Sequence, residues 1–263
     1  MRSARGTVTR VAACRLLVLV VCPCAFADTL VSADPPVTAD RAGDEAGDEA
    51  GEWSAGVSVA AITPQQPMML EGFGSRTRPA EGEATEWYAK ALALRDARGT
   101  RLVIVTSDLI GIPRPLRERV EARIGKRLGL PPESLLLNAS HTHCGPELKM
   151  TSTALEELST QRQRRTIEYC KWLEDTLVKL IEKALAGFAP AQLSYSHARA
   201  GFAMNRRLKN PDPRRGEPYL NHLNPKRPVD HDVPVLQVSW KNQARRAVLF
   251  GYACHNTTLF VNE

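Results

Sequence analysis

From residue 53 onward, apolar segments with the alternation of β-strands are interleaved with segments that have the periodicity of helices. Segments 88–94 and 102–106 are separated by a polar, glycine-containing stretch at 96–100, which is a pattern typical of a β-hairpin. The complete set of predicted strands covers residues 57–62, 88–94, 102–106, 134–138, 192–196, 233–240 and 247–253.

Two segments have the spacing of amphipathic helices. The first covers residues 113–128, where apolar residues recur at every fourth position, and Gly129 is placed to end it. The second covers residues 164–186 and ends at Gly187. The alternation of strands and helices predicts an α/β fold class, with layered mixed β-sheets flanked by helices. The buried stripe of the second helix is predicted to consist of Ile167, Cys170, Leu173, Leu177, Leu180 and Ala184.

The N-terminus has a different pattern. The first 27 residues contain four arginines and no acidic residue, with a short apolar run at 16–21 and an Ala-x-Ala sequence at 25–27. This order predicts a secretory signal peptide at residues 1–27, cleaved before Asp28. The apolar run is well short of the roughly 20 residues that a membrane-spanning helix needs. We therefore expect a secreted or periplasmic protein.

Residues 28–52 differ from the rest of the chain in charge. They hold eight acidic residues and a single basic one, and they include the near-repeat AGDEAGDEAG. Such a segment has too little apolar surface to fold, so it is predicted to be an acidic disordered linker. The globular domain is expected over residues 53–263, with a long loop at 205–232 that is rich in proline, asparagine and arginine.

The charge of the chain raises the question of partners. The formal net charge is +6, and the domain is more basic than the whole because the linker is acidic. No nucleic-acid-binding motif accompanies these basic residues, so we predict no nucleic-acid partner. A solvated basic surface is the simplest interpretation. The alternative is an affinity for an anionic substrate or a peripheral contact with a membrane surface.

The cysteines do not predict a disulfide scaffold. Three of the six lie in the predicted signal peptide, which leaves Cys144, Cys170 and Cys254. An odd number of thiols allows at most one internal disulfide, so the fold must rest on its hydrophobic core.

Three histidines are placed at the ends of predicted strands. His141 and His143 are two residues apart, so extended backbone would direct both imidazoles to one side. His255 follows the last predicted strand in the same manner. Neutral imidazole is a good zinc ligand, and catalytic zinc commonly has three protein ligands and water. The His-x-His pair alone does not separate a metal site from histidines that are hydrogen-bonded to backbone.

A wider pattern adds to these histidines. It consists, in chain order, of GVSVAAITP at 56–64, GFGSR at 72–76, YAKAL at 88–92, VTSDL at 105–109, NASHTHCGP at 138–146, NR at 205–206 and ACHNT at 253–257. Taken together, these segments resemble the N-terminal domain of the neutral/alkaline non-lysosomal ceramidase family, whose members are zinc-dependent amidohydrolases. The resemblance covers residues 53–263.

The resemblance implies roles for individual residues. His141 and His255 would be ligands of Zn²⁺, and His143 would be the catalytic histidine beside the metal. Arg206 would bind and polarise the substrate. The family completes its zinc site with a Glu and a Tyr from farther along the chain, and these positions would lie beyond Glu263.

Two other features bear on this site. Gly72 and Gly74 are assigned to substrate binding, because glycine lets the backbone come close to a ligand; a plain turn is the alternative. Cys144 stands where many members of the family have serine. Its thiol could ligate the metal or pair with Cys254, so both options stay open.

The resemblance implies a secreted, zinc-dependent amidase that hydrolyses the N-acyl amide bond of a ceramide-like lipid. The alternative is a non-catalytic fragment, or a degenerate member of the same fold without a complete metal site. The chain ends at Glu263, a few residues after its last motif, so the domain is expected to be incomplete at the C-terminus. With two of four ligands, the 263-residue chain alone is expected to bind zinc weakly and to lack activity.

Overall fold

A computed structural model describes residues 16–22, 53–82, 84–212, 214, 216–240 and 246–257. The described helices are α1 (Arg114–Leu128), α2 (Ser152–Glu156) and α3 (Thr160–Ala186). The described strands are β1 (Leu16–Cys22), β2 (Trp53–Ala61), β3 (Tyr88–Arg95), β4 (Arg101–Ser107), β5 (Leu135–Ala139), β6 (Ala189–Arg199), β7 (Arg207–Lys209), β8 (Tyr219–Asn221), β9 (Asp232–Trp240) and β10 (Arg246–Tyr252).

Eight of the strands form one mixed sheet, in the order β1-β10-β9-β6-β2-β3-β4-β5. The neighbours are antiparallel except for β4 and β5, which are parallel and are connected through α1. Strands β7 and β8 form a separate two-stranded sheet. The α/β prediction is therefore confirmed. The predicted hairpin is also confirmed, since β3 and β4 pair across the turn at 96–100.

Helix α3 packs against one face of the sheet because the strands present small residues there. Ala89, Ala91 and Ala93 of β3 alternate toward the helices and belong to the larger core cluster. On β2, a Cβ atom added to Gly56 would lie 2.0 Å from the carbonyl oxygen of Ala184. Only glycine allows this approach, and it lets α3 lie directly on the centre of the sheet.

The other face of the sheet holds a second apolar cluster. Leu92 and Leu94 of β3 pack there with Trp240 of β9 and Leu249 of β10. The Trp240 indole N–H also donates to the carbonyl oxygen of Ala55 at 2.9 Å. Residues from distant positions in the strand order thus share one core. The sheet must be strongly curved, and this curvature positions the site described below.

Helix α3 corrects one prediction of the sequence. It begins at Thr160 rather than at residue 164, and its C-cap is Gly187 as expected. Ile167 was predicted to be part of the buried stripe, but it is 47% exposed, so that assignment was wrong. The buried stripe includes Thr166 in its place, and Tyr169 beside the expected Cys170.

The N-terminal predictions fall mainly outside the described residues. Leu16–Cys22, within the predicted signal peptide, is described as strand β1, paired antiparallel with β10. The remainder of residues 1–27 and the whole of the predicted linker 28–52 are not among the described residues, so both assignments stay predictions. Among the described helices, none combines the length and the apolar character needed to cross a bilayer.

Candidate metal centre

Three histidines meet at one point of the curved sheet. His141 and His143 follow β5, whereas His255 follows β10, near the opposite edge. Their candidate ligand atoms all lie within 4.8 Å of one another. The side-chain amide of Asn256 donates to the carbonyl oxygen of Ser140 at 2.6 Å and ties the two loops together. The cluster therefore joins chain segments that are far apart in sequence.

The backbone brings His141 and His143 together in an unexpected way. Strand β5 ends at Ala139, and His141 has a φ of +59°, in the left-handed region. The expectation that extended backbone directs both rings to one side was therefore wrong. A left-handed residue is uncommon outside glycine, and histidine is among the types that tolerate it. It turns the chain so that the two rings meet edge to face, with centroids 5.0 Å apart.

The spacing of the ring nitrogens fits a metal ion. His255 Nε2 lies 3.2 Å from His141 Nε2 and 3.1 Å from His143 Nε2. Two imidazole nitrogens on a tetrahedral zinc ion, each at about 2.0–2.1 Å, are roughly 3.3 Å apart. Small movements would thus bring these nitrogens to ligand positions.

The tautomer of His141 is determined by its neighbour. Its Nδ1 lies 2.7 Å from the carbonyl oxygen of Ile110, which follows β4. A carbonyl oxygen only accepts hydrogen bonds, so Nδ1 carries the proton and the lone pair is on Nε2. Metal-binding histidines are commonly oriented by such a contact. His141 is therefore already in the form that binds a cation.

His143 has a different environment. Its ring contacts the edge of Phe73, with centroids 5.0 Å apart, and Gly72 packs against its Cα, Cβ and Cγ. Its Nδ1 is buried and has no hydrogen-bond partner among the described residues. The backbone of Gly72 nevertheless lies near enough to the ring to raise its pKa, against the effect of burial.

Burial and positive charge keep two of these imidazoles neutral. Burial lowers the pKa of His255 to about 4, with the charge of Arg206 and then the other two histidines adding to the effect. Burial also lowers the pKa of His143; the charge of His141 follows, and those of Arg206 and Arg76 contribute less. Near neutral pH both rings therefore have lone pairs available for a metal or for proton transfer.

The other predicted site residues differ in how close they lie to the histidines. Arg206 is half-buried and close enough for its charge to act on His143 and His255. Gly72 lies against the site, whereas nothing is within 4 Å of a Cβ added to Gly74. Gly74 is thus not required for close packing, although Gly72 is.

The cysteines remain reduced in the structure. Cys144, Cys170 and Cys254 are all free, so Cys144 and Cys254 do not pair. The Cys144 sulfur lies 3.6 Å from a guanidinium nitrogen of Arg76. It does not belong to the group of residues that could hold the metal.

Sequence reasoning missed the residues that hold the site in shape. Arg76 donates to the carbonyl oxygen of His143 at 2.7 Å and to that of Glu71 at 3.1 Å. Asn256 joins the two histidine loops, as described above. Both residues occur inside motifs quoted in the sequence analysis, next to a glycine-rich turn and a histidine. Only their position within a motif could have identified Arg76 and Asn256 from the sequence, because neither residue type is a conventional metal ligand.

The fold and the site together define an α/β protein with a three-histidine candidate metal centre at one end of its sheet. Residues 53–263 match the family model for the neutral/alkaline non-lysosomal ceramidase N-terminal domain, so the chain belongs to this family. The resemblance inferred from the motifs is thereby confirmed.

Two solved structures are similar to this chain. The neutral ceramidase from Pseudomonas aeruginosa is 26% identical, with a TM-score of 0.55; the match covers 73% of this chain and 30% of that one. A ceramidase complexed with C2 is 25% identical, with a TM-score of 0.53, and the match covers 73% and 29%. This chain thus corresponds to less than a third of the length of these ceramidases.

Proposed function

We propose that this protein is a zinc-dependent amidohydrolase that cleaves the N-acyl amide bond of a ceramide-like lipid. Membership of the ceramidase family supports a neutral ceramidase-like hydrolase. The observation that carries the finer proposal is the convergence of three imidazoles on one point. The ceramide-like substrate is supported by the family alone, because the chain spans only part of its relatives.

In this proposal His141 and His255 hold the zinc ion. Both can present Nε2 toward the same position, and His141 is oriented by Ile110. Imidazole ligands suit zinc better than calcium or magnesium, which prefer oxygen. Bound zinc supplies Lewis acidity, polarising a carbonyl oxygen and lowering the pKa of a coordinated water.

His143 is proposed to transfer the proton that amide hydrolysis requires. The neutral imidazole can accept a proton from the attacking water and then donate that proton to the departing amine. The Nε2 atom of His143 lies 3.1 Å from that of His255, so its ring is beside the proposed metal position. Arg206 is proposed to bind the substrate carbonyl and to stabilise the negative charge that develops on its oxygen.

The proposal includes export and contact with a membrane. The basic, apolar and small-residue order of the first 27 residues supports cleavage before Asp28. A lipid substrate also requires access to a membrane surface. N-terminal sequencing of exported protein tests the first point: we expect Asp28 as the first residue, and material that begins at Met1 would contradict it.

The metal and the reaction are tested together by four variants. Zinc content is measured by metal analysis, and hydrolysis is followed with a fluorescent N-acylsphingosine, on this chain and on the product of the whole open reading frame. His141→Ala and His255→Ala should each lose zinc and hydrolysis. His143→Ala should keep most of the zinc and lose turnover. Arg206→Lys should keep zinc and fold but lose turnover, since a planar two-pronged donor becomes a point charge.

The outcomes separate the proposal from its alternative. Absence of metal from the whole product, or hydrolysis that survives His141→Ala, would contradict the zinc amidase assignment. Loss of zinc in His143→Ala would instead make His143 a ligand and remove its proposed role in proton transfer. Metal binding without hydrolysis of any N-acyl amide would favour a non-catalytic member of the family.

A further inference from the structure

A braced finger extends from the segment that was predicted to be an irregular loop. Residues 205–224, called the finger here, contain β7 and β8, which pair antiparallel. At its base, the Asn224 N–H donates to the carbonyl oxygen of Asn205 at 2.7 Å, and the Asn224 side chain donates to that of Arg207 at 2.9 Å. Near its tip, the Asn210 side chain donates to the carbonyl oxygen of Glu217 at 2.8 Å. The described part of the finger is thus held by hydrogen bonds at its base and near its tip.

The finger projects from the domain instead of lying on it. Successive residues of a strand point to opposite faces, so a strand packed on one side has alternating burial. In β8, Tyr219, Leu220 and Asn221 are all exposed. Neither face of this strand is therefore covered by the described part of the chain.

The base of the finger lies beside the metal centre. The Ala203 N–H donates to the hydroxyl of Tyr252 at 3.0 Å, and that hydroxyl donates to the carbonyl oxygen of Ala200 at 2.8 Å. Tyr252 is the last residue of β10, three positions before His255. Arg206, the second residue of the finger, acts electrostatically on His255. Whatever the finger contacts is therefore held next to the three histidines.

The finger and its entry strand expose a cluster of large apolar side chains. Phe202 is 75% exposed and Leu223 is 63% exposed. Single exposed apolar residues are ordinary, but a concentration within one short segment indicates an interaction surface. The members of this cluster are Phe202, Met204, Tyr219, Leu220 and Leu223.

Basic residues are interspersed with these apolar residues along the chain. Residues 205–227 contain seven arginines and lysines and only two acidic residues. Lys209 and Lys226 are both exposed. Apolar and aromatic side chains among basic ones match the boundary of a bilayer, where the former enter the acyl region and the latter meet anionic headgroups. A projecting finger exposed on both faces suits a fluid lipid surface, which needs no complementary shape.

We propose that the finger, with Phe202 and Met204, inserts into the headgroup region of a membrane that contains anionic lipid, and so holds the metal centre against that membrane. The functional reason for this membrane contact depends on the lipid substrate proposed above. The binding itself requires neither metal nor hydrolysis. The sequence analysis named a peripheral membrane contact without residues, and this proposal assigns that contact to the finger and to anionic lipid.

The test is co-sedimentation of the protein with vesicles. One set consists of phosphatidylcholine, and the other of phosphatidylcholine and phosphatidylglycerol in equal parts. The apolar variant is Leu220→Ser with Leu223→Ser, and its control is Leu136→Ser with Ile167→Ser, two exposed apolar residues of β5 and α3. Thermal unfolding confirms that each variant is folded.

A charge variant separates the two contributions to binding. Lys209→Gln with Lys226→Gln is compared with Lys171→Gln and Lys179→Gln, which are exposed on α3. Each basic side chain near an anionic surface contributes about fivefold to partitioning, so the finger variant should bind anionic vesicles roughly 25-fold more weakly. It should leave binding to phosphatidylcholine unchanged.

The expected result is binding to anionic vesicles that the apolar finger variant loses and the controls keep. No binding of the unaltered protein to either vesicle, or equal losses in the finger variants and their controls, would overturn the proposal. His141→Ala distinguishes it from the proposed function. In this variant, vesicle binding that persists while hydrolysis is lost is the result expected from both proposals. Unaltered protein that binds vesicles but hydrolyses no N-acyl amide supports the finger alone, and hydrolysis of dispersed substrate without vesicle binding supports the amidase alone.

Discussion

Replacing Gly72 by alanine tests how the site is held. Gly72 has a φ of +111°, a conformation that residues with a side chain rarely adopt. A Cβ at this position would lie 2.5 Å from the Cα of His143 and 2.6 Å from its Cβ and Cγ. Carbon atoms in contact are normally about 3.5–4.0 Å apart, so either the Gly72 loop or His143 must move by roughly 1 Å.

The loop that carries Gly72 has little freedom to relax. Its neighbour Glu71 donates its backbone N–H to the carbonyl oxygen of Gly145 at 2.9 Å, and Glu147 donates to that of Met69 at 2.9 Å. A residue forced into a sparsely populated conformation costs about 1–3 kcal/mol. Overpacking adds about 1–3 kcal/mol. We therefore expect Gly72→Ala to lower the free energy of unfolding by roughly 2–6 kcal/mol.

The assay is thermal unfolding followed by circular dichroism, together with a zinc titration. For a domain of this size each kcal/mol lowers Tm by roughly 2–4 °C, so a loss of at least about 4 °C is expected. Zinc binding should weaken as well, because a shift of His143 reaches the proposed ligand His141 through the edge-to-face contact of their rings. Gly74→Ala is the matched control, since no atom lies within 4 Å of its added Cβ and its φ is not positive. If both variants unfold at one temperature and bind zinc equally, the proposed packing of Gly72 on His143 is refuted.

Three further predictions concern the core, the site and a thiol. Leu173→Ala should lower the free energy of unfolding by about 2–5 kcal/mol, and Ile167→Ala by much less, because Leu173 is buried and Ile167 is exposed; urea denaturation measures both. Asn256→Ala removes the hydrogen bond between the histidine loops, so zinc affinity measured by calorimetry should fall while the fold, seen by circular dichroism, is retained. Burial raises the pKa of the Cys170 thiol to about 12, so iodoacetamide should label the half-buried Cys144 in the native protein but not Cys170; mass spectrometry of tryptic peptides would show the opposite order if this is wrong.

The sequence by itself determined the local elements and the chemistry available to them. The hairpin of β3 and β4 was predictable because two apolar runs flank a polar turn, and α1 was predictable because its apolar residues repeat every fourth position up to Gly129. These patterns depend on the geometry of single strands and helices, which nearby residues fix. The motifs around His141 and His255 likewise indicated the family, which the family match confirmed.

Local sequence patterns predicted burial and secondary structure less well at positions where these depend on neighbouring elements. Ile167 has the same helical spacing as its buried neighbours, yet it faces solvent, because the position of the sheet selects which side of α3 is covered. The finger at 205–224 was predicted to be an irregular loop because β7 and β8 are only three residues each. Strands of three residues are too short to show a recognisable alternation of apolar and polar residues.

Only the tertiary structure decided how the site is assembled. His141 and His255 are 114 residues apart, and they meet because the sheet curves and brings the end of β10 to the end of β5. That curvature results from apolar packing across many strands, which no single segment encodes. The requirement for glycine at position 72 is likewise set by a distant segment, since His143, 71 residues later in the chain, packs against it.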